Sequence, residues 1–413
     1  MRILVVSQYF WPENFRINDL VAELVGRGHS VTVLTGKPNY PSGNIHPEFK
    51  KNPGAFTQYH GANLIRAPML VRAQGSVRLF MNYISFVFGA SVWGIWKLRH
   101  DKFDVIFICG LSPVTLALPG ILISKIKKTP TVFWVLDLWP ESLRAVGVIR
   151  SPRVLGWVGH LVRFIYNRCT LILGQSRGFI GNISKYCAAP EKIRYFPSWA
   201  ESIFSSNGVE PAPEVPTGDG LFNILFAGNI GESQDMPAVL NAAERLKDDP
   251  RIRWLILGDG RKSEWLAQEI GRRKLQERVV LLGRHPVERM PSFYVHADAL
   301  LVSLKHDPAF SLTIPAKLQS YLVAGIPVLG MLDGEGAATI EQANAGFTCP
   351  AGDAAGLADA AMKLADMSRQ ERAAMGERGR RYAQTEFGRE MLMDRLEAFF
   401  QEAISASATR AAR

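Results

Sequence analysis

Cysteine is scarce in this sequence, and its placement excludes two structural roles. The chain has 413 residues and four cysteines, none of which forms a Cys-x-x-Cys pair. That spacing supports neither a zinc site nor a disulfide framework. Few and dispersed cysteines are typical of a reducing compartment, so the sequence predicts a cytoplasmic protein.

Several nucleotide and metal motifs are also missing. The sequence contains no G-x-G-x-x-G turn and no Walker A segment, which argues against a dinucleotide oxidoreductase and a P-loop enzyme. The Y-x-x-x-K pair that a nucleotide-sugar epimerase would need is not apparent either. No Asp-x-Asp sequence is present either.

Acidic residues are scarce in the first half of the chain. Residues 1–200 hold 24 Lys and Arg against 9 Asp and Glu, which gives a net charge of +15. The remaining residues hold 24 and 29, which gives −5. This difference predicts an anionic partner for the first half. No nucleic-acid motif is evident, so an anionic membrane face or a phosphorylated acceptor is preferred, with a merely soluble basic surface as the alternative.

Short apolar runs alternate with helical patterns along the whole chain. The predicted strands of the first half are Ile3–Ser7, Ser30–Thr35, Val105–Cys109, Thr131–Leu136 and Leu171–Gln175, and those of the second half are Asn223–Ala227, Arg253–Leu257, Val279–Leu282, Ala299–Val302 and Val328–Gly330. Two such sets predict an α/β protein with two Rossmann-like, doubly wound parallel-sheet domains. Ligands of such sheets bind beyond the carboxyl ends of the strands, and we expect the site in a cleft between the domains.

Proline, glycine and small polar residues mark the expected division of the chain. We predict a first domain over 1–204, a linker over 205–220 and a second domain over 221–384. A carboxyl-terminal helix over 385–413 is expected to pack back on the first domain.

Two segments of the second half are candidates for holding a diphosphate. In the first, Gly228 and Gly231 follow a strand, where backbone N–H groups can approach phosphate oxygens. In the second, Lys317 lies in the first turn of a helix that Pro315 begins and Gly325 ends. A helix dipole disfavours a cation there, which indicates an anionic partner for Lys317. A surface lysine without such a role is the alternative.

The same segments resemble glycosyltransferase family 4. The run Lys317-x-x-Ser320-Tyr321-x-x-x-Gly325-x-Pro327-Val328 is similar to the signature helix of that family. Gly258-Asp259-Gly260 resembles its G-x-G turn, and the block from Leu282 through Met290-Pro291 to Ala297-Asp298 resembles a further conserved block. The resemblance covers essentially the whole chain.

Motifs of the first half are similar to one subgroup of the family. They are Gln8–Arg16, Asp137-Leu138-Trp139-Pro140-Glu141-Ser142 and Pro197-Ser198-Trp199. The subgroup contains N-acetyl-L-fucosamine transferases of O-antigen, capsule and colanic acid synthesis. The resemblance implies a GT-B fold and a retaining transfer from a nucleoside diphosphate sugar, with UDP-sugar as the expected donor. It implies that the transfer needs no metal ion and no cofactor, and the missing Asp-x-Asp sequence is consistent with this. It also implies a polyprenyl-diphosphate-linked saccharide as acceptor, at the inner face of the bacterial cytoplasmic membrane.

Three departures from the family pattern affect the donor contacts. Ser320 stands where the family carries a glutamate for the ribose hydroxyls, and no carboxylate stands at the position of the first family glutamate, near Leu312. The family's Arg/Lys pair is replaced by Gln234 and Asp235. We therefore expect Lys317 to carry more of the diphosphate charge. The missing glutamates also support an alternative, a non-catalytic nucleotide-sugar or glycan-binding protein of the same fold. A different enzyme, such as a sugar-phosphate phosphorylase, is a further alternative.

The site residues are predicted in three groups. The catalytic candidates are Asp137, Glu141 and Lys317, of which Asp137 could instead cap a helix beginning near Pro140. The donor-binding candidates are Gly228, Asn229, Gly231, Gly258, Arg284, Thr313, Lys317, Ser320 and Tyr321. The acceptor-binding candidates are Glu13, Asn14, Arg16, Lys37 and Tyr40, of which Arg16 could instead form an ion pair with Glu13.

One segment of the first half has no charged residue. Leu79–Trp96 is apolar and aromatic, with Arg72 and Arg78 before it and Lys97 and Arg99 after it. Its length barely reaches that of a spanning helix, and its polar residues and glycines weaken that interpretation. A helix lying in the membrane interface with a basic rim is predicted, and a buried helix of the first domain is the alternative.

Overall fold

A computed structural model describes residues 1–411, except 41–42, 73–74, 146, 201, 206–207 and 219. The described residues form two compact units. The first unit comprises Met1–Phe196 together with the residues from Glu390 onward, and the second comprises Pro197–Arg389.

The first unit is built on an eight-stranded sheet in the order β3-β4-β2-β1-β5-β6-β7-β8. Neighbouring strands run parallel, except that β3 and β4 are antiparallel. The central strands are apolar and buried along their length, as expected for a parallel sheet covered on both faces. The strands are β1 Arg2–Val6, β2 Ser30–Thr35, β3 Gln58–Tyr59, β4 Ala62–Arg66, β5 Val105–Gly110, β6 Thr131–Val135, β7 Leu171–Gly174 and β8 Ile193–Tyr195.

Helices of the first unit connect these strands, and the last helix comes from the other end of the chain. They are α1 Arg16–Gly26, α2 Pro47–Lys51, α3 Ser76–Lys97, α4 Ala117–Lys127, α5 Glu141–Ala145, α6 Pro152–Arg168, α7 Arg177–Ser184 and, numbered last, α16 Arg389–Ala411. The Phe400 ring of α16 lies 5.6 Å from the ring of Phe107 in β5. Glu402 of the same helix forms an ion pair of 2.5 Å with Arg194. These contacts attach α16 to the sheet of the first unit.

The second unit has a six-stranded parallel sheet in the order β11-β10-β9-β12-β13-β14. Its strands are β9 Phe222–Ala227, β10 Ile252–Leu257, β11 Val279–Gly283, β12 Ala299–Ser303, β13 Val328–Met331 and β14 Gly346–Cys349. Its helices are α8 Met236–Arg245, α9 Ser263–Arg272, α10 Met290–Tyr294, α11 Pro308–Ser311, α12 Ala316–Ala324, α13 Glu335–Gln342, α14 Ala354–Asp366 and α15 Arg369–Phe387.

The central strand β9 shows why an uninterrupted apolar run forms here. Ile224 and Phe226 point into one buried cluster of the second unit, whereas Leu225 and Ala227 point into another. Successive strand residues face opposite sides of a sheet, so both faces of β9 are covered. The fold is therefore two doubly wound parallel-sheet α/β units, as predicted.

The structure divides the chain at other residues than the sequence suggested. Ala200 and Phe204, predicted to end the first domain, pack in a core cluster of the second unit. Ala212 and Val215, predicted to lie in a linker, are buried in the same cluster. Apolar contact thus draws this proline-rich segment into the second unit. Residues 206–207 and 219 of the predicted linker lie outside the described residues.

Candidate functional site

The glycine turn after β9 interlocks with the turn after β10. The backbone N–H of Gly228 donates to Leu257 O at 2.9 Å, and that of Ile230 donates to Asp259 O at 2.9 Å. A Cβ atom added to Gly258 would lie 1.9 Å from the carbonyl oxygen of Gly228. A side chain at Gly258 is therefore incompatible with this approach of the two turns, which explains the glycine there.

Lys317 reaches the glycine turn from the first turn of α12. Its Nζ donates a hydrogen bond of 2.7 Å to Oε1 of Gln234 and lies 3.8 Å from the centroid of the Phe226 ring. A Cβ added to Gly228 would be 3.1 Å from this Nζ. Burial lowers the pKa of Lys317 to about 7. A partly desolvated ammonium beside a glycine turn is suited to bind a phosphate oxygen.

Tyr321 fixes α12 against β9. Its hydroxyl accepts from the backbone N–H of Ala227 at 2.9 Å and donates to the carbonyl oxygen of Ala227 at 3.2 Å. The side chain is fully buried, and its neighbour Ser320 is 6% exposed. Tyr321 was predicted to contact the donor, but its hydroxyl bonds to the protein backbone. It therefore positions the helix that carries Lys317.

The other predicted donor residues of the second unit differ in exposure. Asn229 and Arg284 are exposed, and Gly231 is partly buried. Thr313 is partly buried as well, and its hydroxyl donates to Ala309 O at 3.2 Å. Only Asn229 and Gly231 belong to the turn that Lys317 approaches.

Two further lysines, Lys262 and Lys305, lie at the carboxyl edge of the second sheet and were not predicted as site residues. Glu232 forms an ion pair of 2.8 Å with Lys262 and a shorter one with Lys305. These two lysines hold the pKa of Glu232 at about 2. Lys262 follows the turn after β10, and Lys305 follows β12 by two residues. Both lysines follow predicted parallel strands, and the carboxyl ends of such strands meet at one edge of a sheet. This position could have predicted that the two lysines lie near the glycine turn.

In the first unit, Glu13 holds the loop that follows β2. Its Oε1 accepts from the backbone N–H groups of Asn39 and Tyr40, each at 2.6 Å. Burial raises the pKa of Glu13 above its usual value. This carboxylate was predicted to contact an acceptor, but it is buried and engaged by the loop. The same loop includes Pro41 and Ser42, which lie outside the described residues.

Tyr40 belongs to an aromatic cluster with a guanidinium. Its ring is 5.3 Å from that of Tyr9 and 5.2 Å from that of Phe15. The guanidinium carbon of Arg72 lies 5.3 Å from the centroid of the Tyr40 ring. The backbone N–H of Arg72 donates to Oδ1 of Asn39 at 2.7 Å. The sequence analysis predicted Arg72 only as part of the basic rim of the apolar segment, and it did not predict the contact with Tyr40.

Asp137 lies at the same edge of the first sheet, after β6. Its Oδ2 accepts a hydrogen bond of 3.1 Å from the indole Nε1 of Trp139. Burial raises the pKa of Tyr83, and the charge of Asp137 raises it further while that of Arg72 lowers it. Tyr83 thus lies within electrostatic reach of both side chains.

The carboxylate of Glu141 is partly buried and is hydrogen-bonded to a tyrosine of the first unit. Its Oε1 accepts from the hydroxyl of Tyr186 at 3.1 Å, and its Oε2 is buried without a hydrogen-bond partner in the described part of the chain. Burial and then the charge of Glu141 raise the pKa of Tyr186 to about 12. Glu141 faces these side chains from the first turn of α5.

The remaining predicted acceptor residues differ in exposure. Asn14 is exposed, Arg16 begins α1 and is partly buried, and Lys37 is partly buried. The carbonyl oxygen of Lys37 accepts from the amide of Asn39 at 2.6 Å. Within the described ranges, no group of three or more His, Cys, Asp or Glu side chains could hold a metal ion.

Profiles of two protein families match the chain. The "Glycosyl transferase 4-like domain" matches residues 14–199, and "Glycosyl transferases group 1" matches residues 222–367. The sequence is also similar to a putative colanic acid biosynthesis glycosyl transferase, WcaI, of Escherichia coli K12. The two are 26% identical over 347 residues, which is 79% of this chain and 82% of the relative.

Solved structures of similar fold cover nearly the whole chain. HepE of Anabaena, solved in complex with UDP, superposes with a TM-score of 0.70 at 14% identity, over 97% of this chain and 100% of HepE. HepE has also been solved with UDP-glucose, with a TM-score of 0.67. Sucrose-phosphate synthase of Thermosynechococcus elongatus superposes with a TM-score of 0.71 at 16% identity, over 98% of this chain and 99% of the synthase. At these identities the likeness concerns the fold.

Proposed function

Because the chain belongs to the group 1 glycosyltransferases, we propose that it transfers a sugar from a UDP-sugar to a polyprenyl-diphosphate-linked saccharide. The transfer retains the configuration at the anomeric carbon and contributes to a bacterial surface polysaccharide. The relative WcaI, described as a colanic acid glycosyl transferase, supports this class of product. We further propose that the protein works at the inner face of the cytoplasmic membrane.

The observation that carries the proposal is the ammonium of Lys317 beside the glycine turn. Its Nζ approaches Gly228, whose turn offers backbone N–H groups for phosphate oxygens. A nucleoside diphosphate supplies the negative charge that would keep this partly buried lysine protonated. HepE, a structure of the same fold, binds UDP and UDP-glucose, and this supports uracil as the base.

In the proposed reaction, one bond at the anomeric carbon of the donor sugar is broken and another is formed. The bond from that carbon to the β-phosphate oxygen breaks, and a bond to the acceptor oxygen forms on the same face of the sugar. Charge develops on the departing diphosphate, and Lys317 stabilises it together with the turn that contains Gly228 and Gly231. No metal ion is needed in this scheme, because the lysine and the backbone amides neutralise the diphosphate.

We assign the acceptor to the first unit. Asp137 is proposed to receive the proton of the acceptor hydroxyl or to bind hydroxyls of a sugar. Its hydrogen bond with Trp139 orients the carboxylate without neutralising it. The guanidinium of Arg72 is proposed to bind the diphosphate of the lipid-linked acceptor, because its fork of donors matches phosphate oxygens. The Tyr40 ring beside it is partly exposed and can pack against a sugar.

Nucleotide-dependent thermal stability tests the donor site. We expect UDP, rather than GDP or dTDP, to raise the unfolding temperature, with or without magnesium. A ligand at a hundredfold excess over its dissociation constant stabilises the folded state by about 2.7 kcal/mol. The effect should disappear in Lys317→Met and persist in Lys363→Ala, since Lys363 is exposed on α14. Well-folded protein without any nucleotide shift would contradict the donor site.

Turnover separates an enzyme from a binding protein of the same fold. The protein is incubated with a panel of UDP-sugars and a short-chain prenyl diphosphate saccharide, and product is measured by mass spectrometry. Transfer without inversion supports the proposal. UDP binding without transfer to any lipid-linked acceptor favours the non-catalytic alternative, which the missing family glutamates suggested.

A further inference from the structure

Three helices of the first unit, α3, α4 and α6, form one layer. Helix α3 packs against α4, and α4 packs against α6. They follow β4, β5 and β6 and run back across the sheet by crossovers of the same hand. The outward residues of all three helices therefore belong to one surface.

This surface exposes many large apolar side chains. Phe88 of α3 is 68% exposed, Ile126 of α4 is 55% exposed and Trp157 of α6 is 77% exposed. We call the following set the three-helix face: Val77, Phe80, Met81, Phe88, Val92, Trp93 and Trp96 of α3, Leu122 and Ile126 of α4, and Val154, Trp157 and Phe164 of α6. So large an apolar surface on a folded α/β unit indicates a contact with a membrane or with protein.

The charges among these apolar residues all have one sign. The three helices contain seven Lys and Arg and no Asp or Glu; the basic residues are Arg78, Lys97, Lys125, Lys127, Arg153, Arg163 and Arg168. At the end of α3, the Lys97 ammonium lies 5.1 Å from the Trp93 ring centroid and 4.9 Å from that of Trp96. Aromatic rings beside cations at an apolar surface suit the headgroup region of a bilayer.

The inner side of α3 is anchored to the first unit. Asn82 is fully buried, and its Oδ1 accepts from Gln8 at 2.9 Å while its amide donates to Leu70 O at 2.6 Å. A Cβ on Gly89 would lie 1.8 Å from Pro68 O, so the helix backbone lies directly on this segment. By length and composition Val77–Lys97 would suffice to cross a membrane. Crossing would break these contacts, whereas lying on a membrane preserves them.

We propose that the three-helix face docks on an anionic lipid bilayer, with α3, α4 and α6 lying along its surface. This inference rests on the proposed function in one respect: docking on the bilayer would bring the protein to its proposed lipid-linked acceptor. An anionic bilayer fits the chemistry of this face, because its apolar side chains can contact acyl chains and its cations can bind lipid phosphates. Pairing of this face with the same face of a second copy is disfavoured, because the three helices carry no acidic residue to neutralise the basic ones.

Vesicle co-sedimentation of the full chain tests the proposal. We expect binding to vesicles of equal parts phosphatidylglycerol and phosphatidylcholine, and much weaker binding to phosphatidylcholine alone. Each Lys or Arg near anionic lipid should contribute about fivefold in partitioning, and salt should weaken the binding. Equal binding to both vesicles, or none to either, contradicts the proposal.

Variants on separate helices test whether the whole face takes part. Phe88→Glu, Ile126→Glu and Trp157→Glu should each weaken partitioning on the order of tenfold, because each removes one inserted apolar side chain. Val295→Glu is the matched control, since Val295 is 53% exposed but lies in the second unit. An effect of Phe88→Glu alone would overturn the three-helix arrangement. A lipid-free oligomer that Trp157→Glu dissociates, with vesicle binding intact, would assign the face to a second copy.

Two further readouts keep the outcomes distinct. Resistance of bound protein to alkaline extraction, with α3 protected from protease, would mean that the helix crosses the membrane and would overturn the docking geometry. Stabilisation by UDP, measured without vesicles, reports folding and the donor site in every variant. UDP stabilisation without vesicle binding contradicts the docking surface, whereas vesicle binding without UDP stabilisation contradicts the proposed donor.

Discussion

Nζ of Lys317 donates a hydrogen bond of 2.7 Å to Oε1 of Gln234. Gln234 stands where the resemblance to family 4 would place a basic residue of a phosphate-binding pair. The amide keeps the lysine in position, but it brings no charge to a diphosphate. No salt bridge to Lys317 is found in the part of the chain that the structure describes. Its ammonium is therefore available to an anionic ligand.

Stability and UDP affinity should depend on pH through Lys317. Burial lowers its pKa from 10.5 to about 7 in the folded protein, so between these values the unfolded chain holds one more proton. The free energy of unfolding should then rise from pH 7 toward pH 10, by at most about 1.4 kcal/mol per unit. UDP favours the charged lysine, so its affinity should fall above pH 7 and binding should take up a proton. Calorimetry in buffers of different ionisation enthalpy measures this uptake, and Lys317→Met should abolish it.

Gly258→Ala should disrupt the paired turns of the second unit. Its new Cβ would lie 1.9 Å from Gly228 O, so backbone must move, at a cost of roughly 3 kcal/mol. We expect a lower unfolding temperature and loss of the UDP shift. Gly283→Ala is the control, because its φ of +71° strains alanine but no atom lies within 4 Å of the new Cβ. That change should cost only about 1 kcal/mol and leave UDP binding intact. Equal effects of the two variants would argue against the close approach of the turns.

Asp137→Asn should impair transfer without impairing donor binding. The amide can still accept from Trp139, but it can neither take a proton nor carry charge. We expect kcat to fall by about 10²–10⁴ while the UDP-induced thermal shift is unchanged. Glu141→Gln is the comparison, because Glu141 bonds to Tyr186 and should affect stability more than kcat. A kcat near wild type in Asp137→Asn would limit Asp137 to a structural role.

Arg72→Ala should raise the KM for the lipid-linked acceptor. A charged hydrogen bond to phosphate is typically worth about 1.5–3 kcal/mol, which corresponds to roughly tenfold or more in KM. The UDP-induced thermal shift should not change. Arg72→Lys should recover only part of the loss, since an ammonium lacks the planar fork of donors. Arg245→Ala, at an exposed position of α8, is the control. An unchanged acceptor KM would remove Arg72 from the acceptor site.

The sequence predicted the buried strands best. Ser30–Thr35 has the predicted bounds, and the other nine predicted strands differ from the structure by one residue at an end or at both ends. Most residues of these runs are apolar, as expected for strands of a parallel sheet that is covered on both faces. The strands β4 and β14 were missed, because Ala62–Arg66 and Gly346–Cys349 mix polar with apolar residues.

Side-chain roles were harder to predict than element positions. Glu13 and Tyr321 lie in recognisable motifs, but only the structure shows that both bond to backbone groups. Lys262 and Lys305 are far apart along the chain, and they meet at Glu232 because their strands are close in the sheet. A single sequence without pairing information does not contain such contacts.

The return of α16 to the first unit has a consequence for synthesis of the chain. The second unit consists of contiguous residues, so all of it emerges from the ribosome before Phe400 can reach Phe107. Domains fold as units while the chain grows, so we expect the second unit to complete its fold before the first, although it begins later. Until then the first sheet exposes the apolar surface that α16 will cover, and this half-finished unit is the stage at which a chaperone would be needed.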